Sequence, residues 1–257
     1  MLNSDFVQPV EAATKKSKLN SAAQLARRAS IENSLLAALP DKDYQRLLAG
    51  LEPVTLTLGE VFYESGETIR HVYFPCDSLV SLLTLADGHL ALEVGLIGRE
   101  GMVGIPLVLG HNVSSVRALV QGSGTALRMA SALFLKEFGL SRPLQREVYR
   151  YTHSLMAQIS QTAACNRFHV VEQRFARWLL MTHDRVKSDH FRMTHEFLGH
   201  MLGVRRVGVT KAAQALQKRN LISYSRGNIS ILDRSGLEAA ACQCYEVVRG
   251  MYDDGAQ

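Results

Sequence analysis

The sequence predicts an α+β fold: an N-terminal jelly-roll-like β-roll, a long dimerisation helix and a C-terminal winged helix-turn-helix domain. Three observations predict it. Between Pro53 and about Arg128, short runs rich in Val, Leu, Thr, Tyr and Phe are broken by Gly and Asp at intervals of about 10 residues, the rhythm of an all-β roll. From Ser141 to about Asn166 a helical pattern runs without interruption. From Phe191 to Leu232 two short apolar-periodic segments flank Gly203 and lead into a hairpin signal.

Charge distribution separates the two ends. The net charge of the 257-residue chain is +5. Between Thr194 and Arg234 stand seven basic residues (Arg205, Arg206, Lys211, Lys218, Arg219, Arg226, Arg234) and two acids (Glu196, Asp233), so this stretch alone carries +5. A basic cluster on a defined element points to a polyanion partner. No run of about 18 apolar residues occurs, which predicts no membrane span. The N-terminus lacks the apolar core of a signal peptide. The four cysteines (Cys76, Cys165, Cys242, Cys244) have no metal-site spacing, because Cys242-Gln243-Cys244 is shorter than the usual pair and has no mate elsewhere. They read as reduced thiols of a cytoplasmic protein with no metal and no cofactor. A redox role for Cys242 and Cys244 is the sharper alternative.

Taken in order, residues 1–28 are polar and alanine-rich and predict a flexible tail, with partial helix over 21–28. Residues 29–140 form the β-roll domain, 141–166 the long helix and 167–257 the winged helix-turn-helix domain. Ile31 to Leu39 reads as a short amphipathic helix ending at Pro40. Asp41 is placed to cap a second helix that stops near Gly50. In the roll, Asp87-Gly88 is the clearest hairpin signal. Ser131 to Phe138 is a short helix, and Pro143 suits the first turn of the long one.

Along that helix Leu144, Val148, Tyr151, Leu155, Ile159 and Thr162 recur at spacings of 3 and 4, close to a heptad seam. A helix of about 24 residues spans roughly 36 Å, more than one face of a small roll. The favoured reading is therefore a parallel two-stranded dimer contact; the plainer one is packing on the chain's own roll. Phe168 to Val186 is a further helix, followed by a short connection to Phe191.

In the next segment Thr194 precedes a helix with apolar positions Phe197, Leu198, Met201 and Leu202, and its hydroxyl can cap that helix. Gly203 marks a sharp turn, and Val204 a small apolar wedge. In the second helix Val209, Ala212, Ala213 and Leu216 share one face, while Arg205, Arg206, Gly208 and Lys211 fall largely on the other. An amphipathic helix with a basic first turn suits major-groove entry. Arginine can grip guanine O6 and N7 with two hydrogen bonds, so Arg206 is the expected base reader. Arg205, Thr210 and Lys211 are expected to make mixed base and phosphate contacts. Two short strands around Ser225-Arg226-Gly227-Asn228 predict a wing whose Arg226 and Asn228 reach the phosphate backbone. Asp233 then caps one final helix through about Tyr252.

The order of these elements, with Thr194, Gly199, Gly203, Arg206, Val209 and Asn220-Leu221-Ile222-Ser223, resembles the Crp/Fnr family of bacterial transcription regulators over about residues 30 to 235. The resemblance implies a homodimer on double-stranded DNA with an inverted-repeat operator, RNA polymerase as a further partner, and a guanine contact from Arg206. Where the family carries a glutamate after that arginine, this chain has Val207. The family's cyclic-nucleotide cassette is degenerate here: Gly104 matches its glycine, its glutamate falls on Ile105, and its phosphate-binding arginine on Asn112, followed by Val113 and Ser114. A cyclic phosphate needs a cationic partner and a ribose hydroxyl an acceptor, so tight binding of cyclic AMP or cyclic GMP is not expected.

Two other functions compete. A cupin-like metal enzyme needs clustered histidines and a carboxylate on neighbouring strands; His89 and Glu93 have no such companion. Haem, which some members of the resembled family bind, needs a histidine or cysteine ligand in the roll, where His71, His89 and His111 are scattered. A partner-binding regulator without DNA affinity sits poorly with the intact Arg205-Arg206 pair.

Overall fold

A computed structural model of the chain describes residues 33–86, 90–186 and 188–253. The tail expected over residues 1–28, Ile31, the Asp87-Gly88 turn and His89 lie outside the described residues. No helix among the described residues is long and apolar enough to cross a membrane.

The chain enters through two short helices, α1 (Ser34–Ala37) and α2 (Asp41–Leu48). The Asn33 carboxamide oxygen accepts from the Leu36 N–H at 3.1 Å and caps α1, while its amide donates to the carbonyls of Pro75 and Gly101. One buried side chain thus starts the helix and pins it to the roll. Asp41, expected as the cap of the second helix, is instead its first residue. Pro40 holds the cap position, and Asp41 and Asp43 place negative charge in the first turn, where the helix dipole favours it.

The roll follows as two antiparallel sheets. β1 (Glu52–Leu56), β7 (Gly124–Ala130) and β3 (His71–Pro75) form one, in that order. β2 (Val61–Tyr63), β6 (Arg117–Gly122), β4 (Leu79–Ala86) and β5 (Leu90–Ile97) form the other. Alternation in the sequence appears as alternation in burial: Val72 and Phe74 of β3 and Ala118 and Val120 of β6 point inward and are fully buried. A 3₁₀ turn, Ile105–Leu109, and helix α3 (Ser131–Leu140) close the roll.

The long helix α4 runs from Arg142 to Phe168. The Ser141 hydroxyl accepts from the Leu144 N–H, and Pro143 occupies the first turn. Its heptad-like seam does not face outward. Leu144 and Val148 are 0% exposed, Tyr151 5% and Leu155 4%, all within the same core as Val72 and Phe74, with Ile159 packed against it. The dimer contact assigned to Leu144, Val148, Tyr151, Leu155, Ile159 and Thr162 is corrected accordingly. The roll's two sheets, α1 and the last helix together present enough apolar surface to occupy this face. Thr162 accepts a hydrogen bond from Arg177. The opposite face of α4 carries Arg146, Tyr149, His153, Met156, Ser160 and Ala163 at spacings of 3 and 4, all exposed.

The remaining chain builds a second core. It comprises α5 (Val171–Val186), β8 (His190–Arg192), α6 (His195–Leu202), α7 (Arg206–Lys218), β9 (Ile222–Ser225), β10 (Asn228–Ile231), α8 (Arg234–Ala240) and α9 (Cys244–Asp253). Phe175, Leu179, Leu198, Val209, Leu216, Ile229, Leu237 and Tyr245 meet at its centre, and Leu79, Leu83 and Leu96 of the roll join them. The connection expected around Phe191 contains strand β8, which makes the wing three-stranded in the order β8-β10-β9. The Asp233 carboxylate accepts from the Gly236 N–H as expected. The single final helix does not form: Ala241 takes extended backbone and α9 begins anew at Cys244. That break turns Cys242 and Cys244 inward toward Cys165, and all three are buried.

Candidate DNA-reading interface

The helix-turn-helix is fixed by local backbone chemistry. The Thr194 hydroxyl accepts from the Phe197 N–H at 3.1 Å and caps α6. Gly203 ends that helix in the left-handed region at φ 59°, which costs a side-chain-bearing residue about 1–2 kcal/mol. Gly199 lies so close to the turn that a Cβ would stand 2.9 Å from the Val204 carbonyl oxygen. Val204, half-buried, then donates its N–H back to the Gly199 carbonyl.

On α7, Val209, Ala212, Ala213 and Leu216 are buried and Arg205, Arg206, Val207 and Lys211 are exposed. The split between faces is the expected one, with Gly208 half-buried between them. Of the seven basic residues in this stretch, two are engaged within the protein. Arg219 pairs with Glu172, and Arg234 with Asp184 and Glu238. Arg205, Arg206, Lys211 and Arg226 make no ion pair among the described residues. The positive charge at the start of α7 and at the wing tip is therefore directed at solvent.

Thr210 is placed differently from its exposed neighbours. It is half-buried, and its hydroxyl lies 3.1 Å from both His195 Nδ1 and the Arg206 carbonyl oxygen. Burial, and then the charge of Arg206, hold the His195 imidazole below its ordinary pKa. The ring meets Tyr224 edge-on at 4.6 Å, and the Tyr224 hydroxyl donates to the Met193 carbonyl. Burial pushes the Tyr224 phenol up to about 12. This uncharged chain of contacts ties the start of α6 to the first turn of α7 and to the wing. His195 and Tyr224 were not singled out in the sequence, where nothing marks them as partners.

At the wing tip Arg226 and Gly227 form the two-residue turn, with φ 49° and 82°. The exposed Asn228 faces Arg192 across the β8–β10 ladder. Arg192 is exposed and adds a cation beside the tip. Its basic character was visible in the sequence, its strand was not.

The cassette positions of the roll lie apart from this surface. Gly104, at φ 113°, precedes the 3₁₀ turn, and Ile105 is buried in the roll's core. Asn112 is exposed, its backbone carbonyl accepting from Ile69. Val113 bridges Thr68, and the buried Ser114 hydroxyl bonds the backbone of Val116. Arg117 pairs with Glu64 at 2.7 Å. His71 is half-buried and His111 exposed, and neither joins a metal-ligating group among the described residues.

The architecture is a β-roll joined through one long helix to a winged helix-turn-helix with an unpaired basic first turn. Residues 173–240 match the Crp-like helix-turn-helix domain. Its fold is similar to FixK2 from Bradyrhizobium japonicum, at 14% identity and a TM-score of 0.63 over 75% of this chain and 98% of that one. It is similar to the c-di-GMP-responsive global regulator CLP of Xanthomonas campestris, at 15% identity and a TM-score of 0.61 over 75% and 99%. A Crp/Fnr-family transcriptional regulator from Thermus thermophilus aligns at 20% identity with a TM-score of 0.62 over 74% and 98%. No curated protein matches the sequence.

Proposed function

We propose that the chain acts as a homodimer that binds an inverted-repeat operator. In this reading the units run over about residues 29–140, 141–166 and 167–257, and each copy enters a major groove with the first turn of α7. The observation that carries it is the exposed, unpaired set of Arg205, Arg206 and Lys211 on a helix whose other face is closed by core. Arg206 reads a guanine, Arg205 and Lys211 hold phosphate and base edges, and Arg226 with Asn228 grips the flanking backbone. Thr194 caps α6 where its first turn meets phosphate. Thr210 acts through His195 and the Arg206 carbonyl to set the angle of that turn. Val207, 59% exposed beside Arg206, offers an apolar contact to a thymine methyl.

Pairing uses the outward stripe of α4 around Tyr149, His153 and Met156, which places the two readers one helical repeat, about 34 Å, apart. The roll takes neither cyclic AMP nor cyclic GMP tightly, because Ile105 is buried, Asn112 is uncharged and Arg117 is held by Glu64. Selection from random duplex DNA tests the whole reading. The expected product is an inverted repeat with half-site centres about 10 base pairs apart. Enrichment of a single unrepeated site, or no enrichment, would refute it.

A further inference from the structure

We propose that Cys165, His169, Cys242 and Cys244 form a mononuclear zinc(II) site that staples the end of the long helix to the break between α8 and α9. The four residues come from two places in the chain. Cys165 and His169 are one helical turn apart at the end of α4, with His169 as its C-cap. Cys242 lies in the break between α8 and α9, and Cys244 is the first residue of α9. The spacing that argued against a metal site is thus completed by the fold: Cys165-Asn-Arg-Phe-His169 supplies the mate that Cys242-Gln-Cys244 lacks in sequence.

The distances favour one ion. Each residue offers one ligand atom, and all four atoms lie within 4.8 Å of one another. Cys165 Sγ and Cys242 Sγ are 3.4 Å apart, as are Cys244 Sγ and His169 Nδ1. With zinc–sulfur bonds of about 2.3 Å and zinc–nitrogen bonds of about 2.0 Å, tetrahedral geometry puts sulfurs about 3.8 Å apart and sulfur and nitrogen about 3.5 Å apart. Two of the six separations thus fall close to those a single tetrahedral ion requires, and the group is compact enough to close on one ion. An iron–sulfur cluster interposes several iron and sulfide atoms and needs its sulfurs farther apart. Three thiolates and an imidazole are the donor set of structural zinc.

The surroundings supply an independent argument. Arg174 and Arg177 are buried beside the group, at 8% and 6% exposure, and neither pairs with a carboxylate among the described residues. Arg174 donates to Asn166 and the Leu202 carbonyl, Arg177 to Thr162, and the Nε of each has no partner. Glu93, the carboxylate whose charge reaches Arg177, is bonded to Ser81 and Trp178. Two buried cations without a full counter-charge are costly. Zinc binding offsets one of the two charges. Zn²⁺ displaces one proton from each of three thiols, three protons leave to solvent, and the resulting Zn(Cys)₃(His) group carries −1. The Gln161 amide already donates to Cys244 Sγ at 3.0 Å, the kind of outer hydrogen bond that orients a thiolate ligand.

The staple has a defined place in the molecule. Its four ligands flank the residues that match the helix-turn-helix domain, 173–240, two before and two after. One ion would fix both ends of the reader to the helix that carries it.

The test uses the full reduced chain. Metal analysis after purification is expected to find one zinc per chain, retained in Cys76→Ala and lost in Cys242→Ser and His169→Ala. Cobalt(II) in place of zinc should give the ligand-field and thiolate charge-transfer bands of a tetrahedral three-sulfur site. In the wild-type chain, which needs no variant to fold, withdrawal of zinc by a chelator should expose three further thiols to a thiol reagent. Failure of the reduced chain to take up stoichiometric zinc or cobalt would overturn the proposal. So would a Cys165–Cys242 disulfide with no metal uptake after its reduction, or full retention of zinc in both ligand variants.

Discussion

The indole N–H of Trp178 donates to the carboxyl group of Glu93 at 2.9 Å, linking the first helix of the reader to strand β5 of the roll. The second carboxyl oxygen of Glu93 lies 2.7 Å from the Ser81 hydroxyl, which also meets Gln121. A hydroxyl has one proton and here faces two oxygens. A protonated Glu93 donates to Ser81 and releases the Ser81 proton for Gln121. Burial also opposes the carboxylate, more than these hydrogen bonds and the nearby Arg177 favour it, and raises the Glu93 pKa to about 7.

That shift sets a pH dependence with a definite sign. The folded chain holds the Glu93 proton between about pH 4.5 and 7, while the unfolded chain releases it. Stability is therefore full below the unfolded pKa and falls as pH rises to about 7, by an amount on the order of 3 kcal/mol. Glu93→Gln keeps an acceptor for Trp178 and a donor for Ser81 but cannot ionise. Urea denaturation should find it close to wild type near pH 5 and more stable at pH 8. An unchanged wild-type slope in the variant would show that Glu93 is not its source.

Arg206 and Arg226 should fail differently when truncated. Arg206→Ala removes a base contact, costing about 1–3 kcal/mol and relaxing preference at one base pair. Arg226→Ala removes a phosphate contact, so affinity should fall for all sequences alike and the salt dependence should lessen by about one charge. Titrations of selected and scrambled duplexes at several salt concentrations separate the two. Equal losses on both duplexes for Arg206→Ala would reassign it to the backbone.

The reader was legible because its signals are local. Thr194, Gly203 and the Val209–Leu216 face each act within a turn or two of themselves, so periodicity and capping chemistry revealed them. The long helix was misread because a 3–4 spacing marks a buried face without naming what buries it. The roll, not a second copy, covers Leu144 to Leu155. The sulfur cluster was missed for a related reason. Its halves are 77 residues apart between Cys165 and Cys242, and they meet only because the last helix breaks at a point where composition predicted continuity. Strand β8 is three residues long, too short to leave an alternation.

Assembly can be separated from folding on one helix. Met156 is 60% exposed on the outward stripe of α4, while the adjacent Leu155 is 4% exposed within the core. Met156→Glu should convert a dimer to monomers with little change in unfolding free energy. Leu155→Ala should cost about 2–5 kcal/mol and leave assembly intact. Sedimentation velocity paired with urea denaturation reads both. A dimer that survives Met156→Glu would place the contact elsewhere.

Gly203 is the position where backbone conformation and domain contact coincide. At φ 59° it adopts a conformation that costs alanine about 1–2 kcal/mol. A Cβ there would also stand 2.7 Å from Leu92 Cδ1 of β5. The clash involves the tip of a half-buried, rotatable side chain, so it should relax at small cost, while the dihedral cannot. Gly203→Ala is expected to lose about 1–2 kcal/mol of stability. Adding Leu92→Ala should recover little of it once the effect of Leu92→Ala alone is subtracted. Gly203→Asn should lose less than Gly203→Ala, because asparagine tolerates the left-handed region. Denaturation curves for the four variants decide between the causes. If the Leu92→Ala background removes the whole loss, contact with the roll, not backbone conformation, is what requires glycine at the turn.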